Sequence, residues 1–378
     1  MNPAFNKSKE HISNLTFFLL FILSAPLFAQ APDTLNPDRA PFLLGGRLHR
    51  GFIIPHSRDI AQVSDSHPFG LELNVQWLMT AEKHTRESGV ITKRGFLAHY
   101  INYDHPDVLG YCLSLAPYIE PLIRPDRRLY GAVQLGLGVS YLSKVYHKDN
   151  NPTNLFFSTH ISYLLIANAY LYFKATPRWD VSLGFNYNHI SNGGMREPNK
   201  GMNFPTWNAG LAYHVQPTTI RRVVKNKNWK NLPRNYAYVH AAGTIKKAQA
   251  TDAFPVDKPC WQLGGIAMVG RRVGRMSGLA AGTEWIHDGW AREVLDRAGD
   301  NTSALKGGIL FGHELLTGRV RFTVHLGAYV YNPSRNTDAV YQRYGLFYRI
   351  GQHLQFGSTL KSHRHVADVF DVRVGWLW

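Results

Sequence analysis

Apolar and polar residues alternate with a period of two along most of this chain. In Gly131–Tyr141, Val133, Leu135, Leu137, Val139 and Tyr141 share one face, and Ala132, Gln134, Gly136, Gly138 and Ser140 share the other. Arg319–Val330 repeats the pattern, with Val320, Phe322, Val324, Leu326, Ala328 and Val330 opposing Arg321, Thr323, His325, Gly327 and Tyr329. In the last segment Phe370, Val372, Val374, Trp376 and Trp378 oppose Asp371, Arg373 and Gly375. Successive side chains of a strand point to opposite sides, so this period predicts strands with one greasy face and one small or polar face. Sixteen such segments can be counted from residue 46 onward, and helical signals are scarce. Most reach the roughly 9–11 residues that a tilted transmembrane strand needs.

Composition narrows the class. Gly numbers 33 and aromatics make up 13%, while charged residues reach only 18%, a mixture that suits strands with a lipid-facing side. A soluble sandwich also has one apolar face per strand, but its other face seldom holds so much Gly, Ala and Ser. Lys7 and Lys9 precede an apolar run from Leu15 to Phe28, and Ala29-Gln30 offers a cleavage point. That run is too short for a spanning helix and reads as a secretory signal peptide over residues 1–29. Export makes cytoplasmic enzymes and nucleic-acid binders poor readings despite the formal charge of +16. That charge suits the phosphates of lipid headgroups, although solvated barrel ends explain much of it. The expected fold class is therefore all-β: an antiparallel transmembrane β-barrel of about 12–16 strands in the outer membrane, following a cleaved signal peptide.

One barrel spanning residues 30–378 is expected. The basic stretch between Gln216 and Tyr236, with Arg221, Arg222, Lys225, Lys227, Lys230 and Arg234, reads as a solvated loop. Its sharper reading is a boundary between an eight-strand unit ending near Val215 and a second half. The single barrel is preferred because a second one would need its own closure.

Residues 186–204, NYNHISNGGMREPNKGMNF, interrupt an otherwise ordinary hairpin. The preceding strand places Val181, Leu183, Phe185, Tyr187, His189 and Ser191 on one face, so His189 and Ser191 continue the lipid-facing row. Two residues along a strand is about 6.6 Å, a gap that an imidazole and a hydroxyl can close. The next strand places Trp207, Ala209, Leu211, Tyr213 and Val215 outward, and the same parity carried back reaches Asn203. These residue types can hydrolyse an ester: Ser191 as nucleophile, His189 as base, and Asn203 holding the imidazole tautomer. Asn192, Gly193 and Gly194 follow the serine and could turn N–H groups toward an oxyanion. A polar triad on a membrane-facing surface has no structural purpose there. The tetrapeptide alone carries little weight, since His11-Ile12-Ser13-Asn14 lies in the leader and His160-Ile161-Ser162 recurs elsewhere.

The run HISNGGMREPNKGMN resembles the active-site hairpin of the lipid A 3-O-deacylase (PagL) family, outer-membrane barrels also called acyloxyacyl hydrolases. The family pattern is His-x-Ser-Asn, a small-residue pair, then Pro-Asn-x-Gly and an acidic residue. The resemblance covers residues 45–215 and implies His189 as base, Ser191 as nucleophile and Asn192-Gly193-Gly194 as the oxyanion region. It further implies removal of an ester-linked hydroxyacyl chain from lipid A, the membrane anchor of lipopolysaccharide, with no metal or cofactor. Where many members place a triad glutamate, this chain has Asn203, which can orient imidazole but brings no charge to stabilise imidazolium. Glu197 is the substitute candidate. Residues 235–378 supply further barrel strands beyond the family's compact eight-strand form. With a periplasmic N-terminus, the connection after the seventh strand opens at the outer leaflet, where lipid A resides.

Two other features have bland and sharp readings. His363-x-His365 could chelate a metal from one strand face but lacks a carboxylate-rich partner set. Cys112 and Cys260 could pair in an oxidising compartment, or remain two buried thiols. Rival functions for the whole chain are a non-enzymatic porin or structural barrel with a dead site, and a lipid acyltransferase using the same triad.

Overall fold

A computed structural model describes residues 40–378 apart from 82–84, 86–88, 219, 221–228, 232, 336 and 365. The expected leader lies outside the described residues, as do most of the basic stretch before Tyr236 and His365 of the His-x-His pair.

The period-two pattern becomes two antiparallel barrels. The first comprises β1 (Phe42–Gly51), β2 (Phe69–Met79), β3 (Thr92–Asn102), β4 (Tyr111–Ile123), β5 (Leu129–Leu142), β6 (Ile161–Lys174), β7 (Trp179–Ser191) and β9 (Thr206–His214). It closes through β1 with β9 and β9 with β7, and a two-residue strand β8 (Met202–Asn203) lies beside the end of β7. The second comprises β10 (Asn235–Ala248), β11 (Lys258–Arg272), β12 (Ser277–Asp288), β13 (Leu305–Thr317), β14 (Val320–Tyr331), β15 (Val340–Ile350), β16 (Leu354–His363) and β17 (Val366–Leu377), and closes through β10 with β17. The expectation of one barrel is therefore corrected. The pattern of faces counts strands but not closure, because every strand has the same two faces whichever neighbours it pairs with. A nine-residue helix, α1 (Gly289–Arg297), follows β12. The sequence reading did not anticipate it; Asp288 caps it by accepting a hydrogen bond from the Ala291 N–H.

Face by face, the strands match their sequence. Leu48, Leu183, Trp207, Leu326 and Val374 point outward and are exposed, while the alternate positions are buried. An apolar exterior over a polar interior is the transmembrane-barrel arrangement. Both lumens are filled with side chains that pair their charges. In the first, Glu72 takes Arg47 and His99, and Lys93 stands 3.2 Å from Glu120. In the second, Arg343 lies 2.7 Å from Asp371 and 3.1 Å from Glu284. Arg373 bonds the same two carboxylates at 2.7 and 3.0 Å. Such charges are tolerable inside only as closed networks, since removing any one member leaves its partner uncompensated. Toward one end of the first barrel the lumen becomes apolar. Ile53, Ile101, Phe156, Phe157, Ile190, Met202 and Phe204 form a core that supports the connection after β7.

The barrels touch at that same end. Phe370 on β17 follows the outward parity yet is only 7% exposed, because its ring stacks on Tyr163 of β6 with centroids 3.6 Å apart. The Lys247 N–H donates to the Met195 carbonyl at 2.9 Å, and the Gln249 amide to the Glu197 carbonyl at 2.7 Å. Cys112 and Cys260 are both free and buried, so the disulfide reading fails: one thiol sits inside the first barrel's core and the other on the second barrel.

Candidate active site

His189 sits opposite Asn203 in the short pairing of β7 with β8. Directly paired residues share a face, so the parity carried back through Pro205 holds and both side chains point outward. Asn203 is fixed from two sides, since its carbonyl also accepts from the Ile54 N–H at 2.9 Å. Its side-chain Oδ1 lies 2.6 Å from His189 Nδ1 and accepts the Tyr187 hydroxyl at 2.9 Å. An amide oxygen accepts only, so the Nδ1 position carries the proton and Nε2 is left with a free lone pair. His189 itself is half-buried.

Ser191 shares the outward parity of His189 but is 3% exposed. It lies where β7 leaves the sheet, opposite Tyr163, whose ring is covered by Phe370. Its Oγ accepts the Gly193 N–H at 3.0 Å and the Asn199 amide at 3.3 Å. Among the described residues no hydrogen bond joins His189 to Ser191. The two nevertheless border one point: a Cβ added at Gly201 would stand 3.1 Å from His189 Cε1 and 3.3 Å from the Ser191 Cβ. Gly201 has φ +69°, so both its backbone shape and its missing side chain are required there.

The connecting loop is a network of polar contacts. Asn192 donates its N–H to Asn199 Oδ1 at 3.1 Å, and its amide bonds Ser158 and the Arg196 carbonyl. The Asn192 peptide N–H is thus occupied, which leaves the Gly193 N–H as the one backbone donor seen to point at the serine oxygen. Gly193 and Gly194 have φ +65° and +75°. They are also where β17 comes closest: a Cβ at Gly193 would meet Phe370 at 2.7 Å, and one at Gly194 the Asp368 carbonyl at 2.1 Å. The glycine pair therefore serves the junction of the barrels as well as the turn. Glu197, the alternative orienter, is exposed and accepts the Asn199 N–H at 2.9 Å; the imidazole goes to Asn203 instead. Asn199 and Tyr187 are the participants that the sequence reading missed. Asn199 stands in the quoted Pro-Asn-x-Gly, and its spacing of eight from Ser191 gives no periodic signal.

One cluster elsewhere has the composition of a metal site. Ligand atoms of His49, Glu72 and His99 lie within 4.8 Å of one another inside the first barrel. Glu72 is already paired with the Arg47 guanidinium, and a fixed cation at that distance opposes a metal ion.

Residues 68–212 match the family model described as lipid A 3-O-deacylase (PagL), and residues 235–378 match the model for the acyloxyacyl hydrolase C-terminal domain. Each half of the chain thus matches a PagL acyloxyacyl hydrolase model. Its second half, read from sequence as lying beyond the family's form, is covered by a family model of its own. Among solved structures, the chain is similar to the outer membrane enzyme PagL, at 19% identity over 44% of this chain and 97% of that one, with a TM-score of 0.34. It is also similar to Neisserial surface protein A, at 11% identity over 46% and 96% with a TM-score of 0.31. Ail, the attachment invasion locus protein of Yersinia pestis, matches at 12% identity over 46% and 98% with a TM-score of 0.29. No curated protein matches the chain.

Proposed function

We propose that this protein is an outer-membrane esterase, exported through a cleaved signal peptide, that hydrolyses an ester-linked acyl chain of lipid A, the 3-O-acyl chain by the family's name. The observation that supports it best is the 2.6 Å contact of His189 Nδ1 with Asn203, on the outward face and two residues from Ser191, in a chain that matches this family's model. That contact leaves Nε2 unprotonated and able to act as the base. Ser191 Oγ attacks the ester carbonyl and gives its proton to Nε2. The tetrahedral oxyanion is held by the Gly193 N–H and the Asn199 amide, the two donors already gathered at Oγ. Collapse breaks the bond to the sugar oxygen, which takes the proton from Nε2, and an acyl-serine remains. Water then gives a proton to Nε2 and its oxygen to the acyl carbon; collapse breaks the bond to Ser191 Oγ, which takes the proton back from Nε2 as the fatty acid leaves. His189 and Ser191 share no hydrogen bond at rest, and catalytic contacts of this kind commonly tighten only with substrate bound. The outward parity of His189 and Ser191 lets a lipid come sideways from the leaflet once Ser191, 3% exposed at rest, is uncovered.

The pore reading has little physical room, because eight-stranded barrels are filled by their own side chains, as the Arg343 and Arg373 networks illustrate. Purified protein and lipid A with a labelled acyl chain test the rest. Release of free fatty acid that is lost in Ser191→Ala supports the hydrolase. Transfer of the label to a second lipid assigns an acyltransferase, and an intact substrate assigns a structural barrel.

A further inference from the structure

Beside the serine hairpin lies a cavity of about 970 Å³ whose walls come from both barrels. The hairpin gives Gly194, Arg196 and Glu197, and the second barrel gives the ends of β10 and β17, helix α1 and the loop after β14. Six cationic side chains line it: Arg196, Lys246, Lys247, Arg297, Arg335 and Arg364. Only three carboxylates do, from Glu197, Asp338 and Asp368.

Those acids are already engaged. Asp368 is shared by Lys246 at 3.0 Å, Lys361 at 3.6 Å and His363 at 3.6 Å, so it does not neutralise the wall. Asp338 holds Arg364, and the Glu197 carboxylate accepts the Asn199 N–H. The guanidiniums of Arg196 and Arg335 make no hydrogen bond or ion pair among the described residues. Two planar forks that line one recess without a hydrogen-bonded carboxylate are suited to phosphate, which guanidinium binds through paired hydrogen bonds. Trp290, half-buried with the Lys246 ammonium 5.3 Å from its ring, adds an apolar wall. The size falls within the range of small-ligand sites, roughly 300–1,000 Å³. Gly194 is three residues from Ser191, a reach of at most about 11 Å.

We propose that this cavity binds the phosphorylated saccharide of the substrate, so that the second barrel supplies the anion-recognition half of the site while the first supplies the ester chemistry. The assignment rests on the hydrolase reading above. It gives the second barrel a reason to be docked at the hairpin end, where Gly193 and Gly194 admit β17.

Binding is measured with full-length Ser191→Ala protein in detergent micelles, against lipid A and against lipid A stripped of its phosphates. The phosphorylated lipid is expected to bind about tenfold or more tightly, and Arg196→Gln with Arg335→Gln together to erase that preference. An unchanged thermal midpoint in the double variant assigns the loss to binding; if the midpoint falls, Arg196→Lys with Arg335→Lys, which keeps both charges, must restore the preference. Equal binding of the two lipids, or an undiminished preference in the double variant, overturns the assignment. Inorganic phosphate separates the headgroup from the free ion: competition only at roughly millimolar concentration keeps the lipid as ligand, and micromolar displacement overturns it. Phosphate-dependent binding without fatty-acid release by the parent protein would refute the hydrolase and leave the anion site standing. Release without phosphate preference would do the reverse.

Discussion

Replacing Asn203 with alanine removes the acceptor of two hydrogen bonds, 2.6 Å from His189 Nδ1 and 2.9 Å from the Tyr187 hydroxyl. A neutral hydrogen bond contributes about 0.5–1.5 kcal/mol net, and a half-buried donor left unmatched costs about 1–3 kcal/mol. If roughly 1.5–3 kcal/mol of this falls on the transition state, where the imidazole must hold one tautomer and one orientation, turnover drops about 10- to 150-fold. The loss belongs in kcat, because Asn203 touches the histidine and not the lipid, and KM should move less than about twofold. Asn203→Asp keeps the acceptor and adds a charge that stabilises imidazolium, so it should at least match the parent rate. Glu197→Ala is the control: its carboxylate caps the Asn199 N–H, and a loss below about fivefold is expected. Fatty-acid release from lipid A micelles, followed over substrate concentration, reads all three variants. Parent-like turnover in Asn203→Ala, or an equal fall in Glu197→Ala, refutes the orienting role.

Other consequences follow from the same contacts. Gly201→Ala places a methyl 3.1 Å from His189 Cε1 at φ +69°; it should cost about 1–2 kcal/mol in stability and lower kcat, and unchanged melting and turnover would contradict the packing. Asn199→Ala removes a donor from Ser191 Oγ and frees the Asn192 N–H, and should lower kcat by about 10²–10³ if the amide serves the oxyanion; a loss under about threefold would leave that role to the Gly193 N–H alone. Glu284→Gln leaves Arg343 and Arg373 short of a charge, and should destabilise the second barrel by about 3–5 kcal/mol, read as a lower temperature for the heat-dependent mobility shift in detergent gels; an unshifted transition would show the network to be dispensable.

The strands were legible because a sheet face is a local property: Val133 and Gln134 declare opposite sides from adjacent positions. Closure was not, since it depends on β1 meeting β9 and β10 meeting β17, pairings between residues 155–171 and 129–139 positions apart. Within the site, His189 and Ser191 could be read from parity, and Asn203 from parity carried across a proline. Asn199 could not, because it reaches Ser191 through a loop whose path is set by Gly201 and by contacts to Ser158 and Leu155. The role of the glycine pair was half legible. Their positive φ follows from residue type, but the approach of β17 becomes visible only once the second barrel is in place.

The central claim is that Ser191 on the outer face of the first barrel is the nucleophile for an acyl ester of lipid A. Mass spectrometry of lipid A from cells producing the parent protein or Ser191→Ala, at equal amounts in the outer membrane, tests it most directly. The account predicts lipid A lighter by one hydroxyacyl chain with the parent and full-length lipid A with the variant. The same lipid A profile in both strains would contradict it.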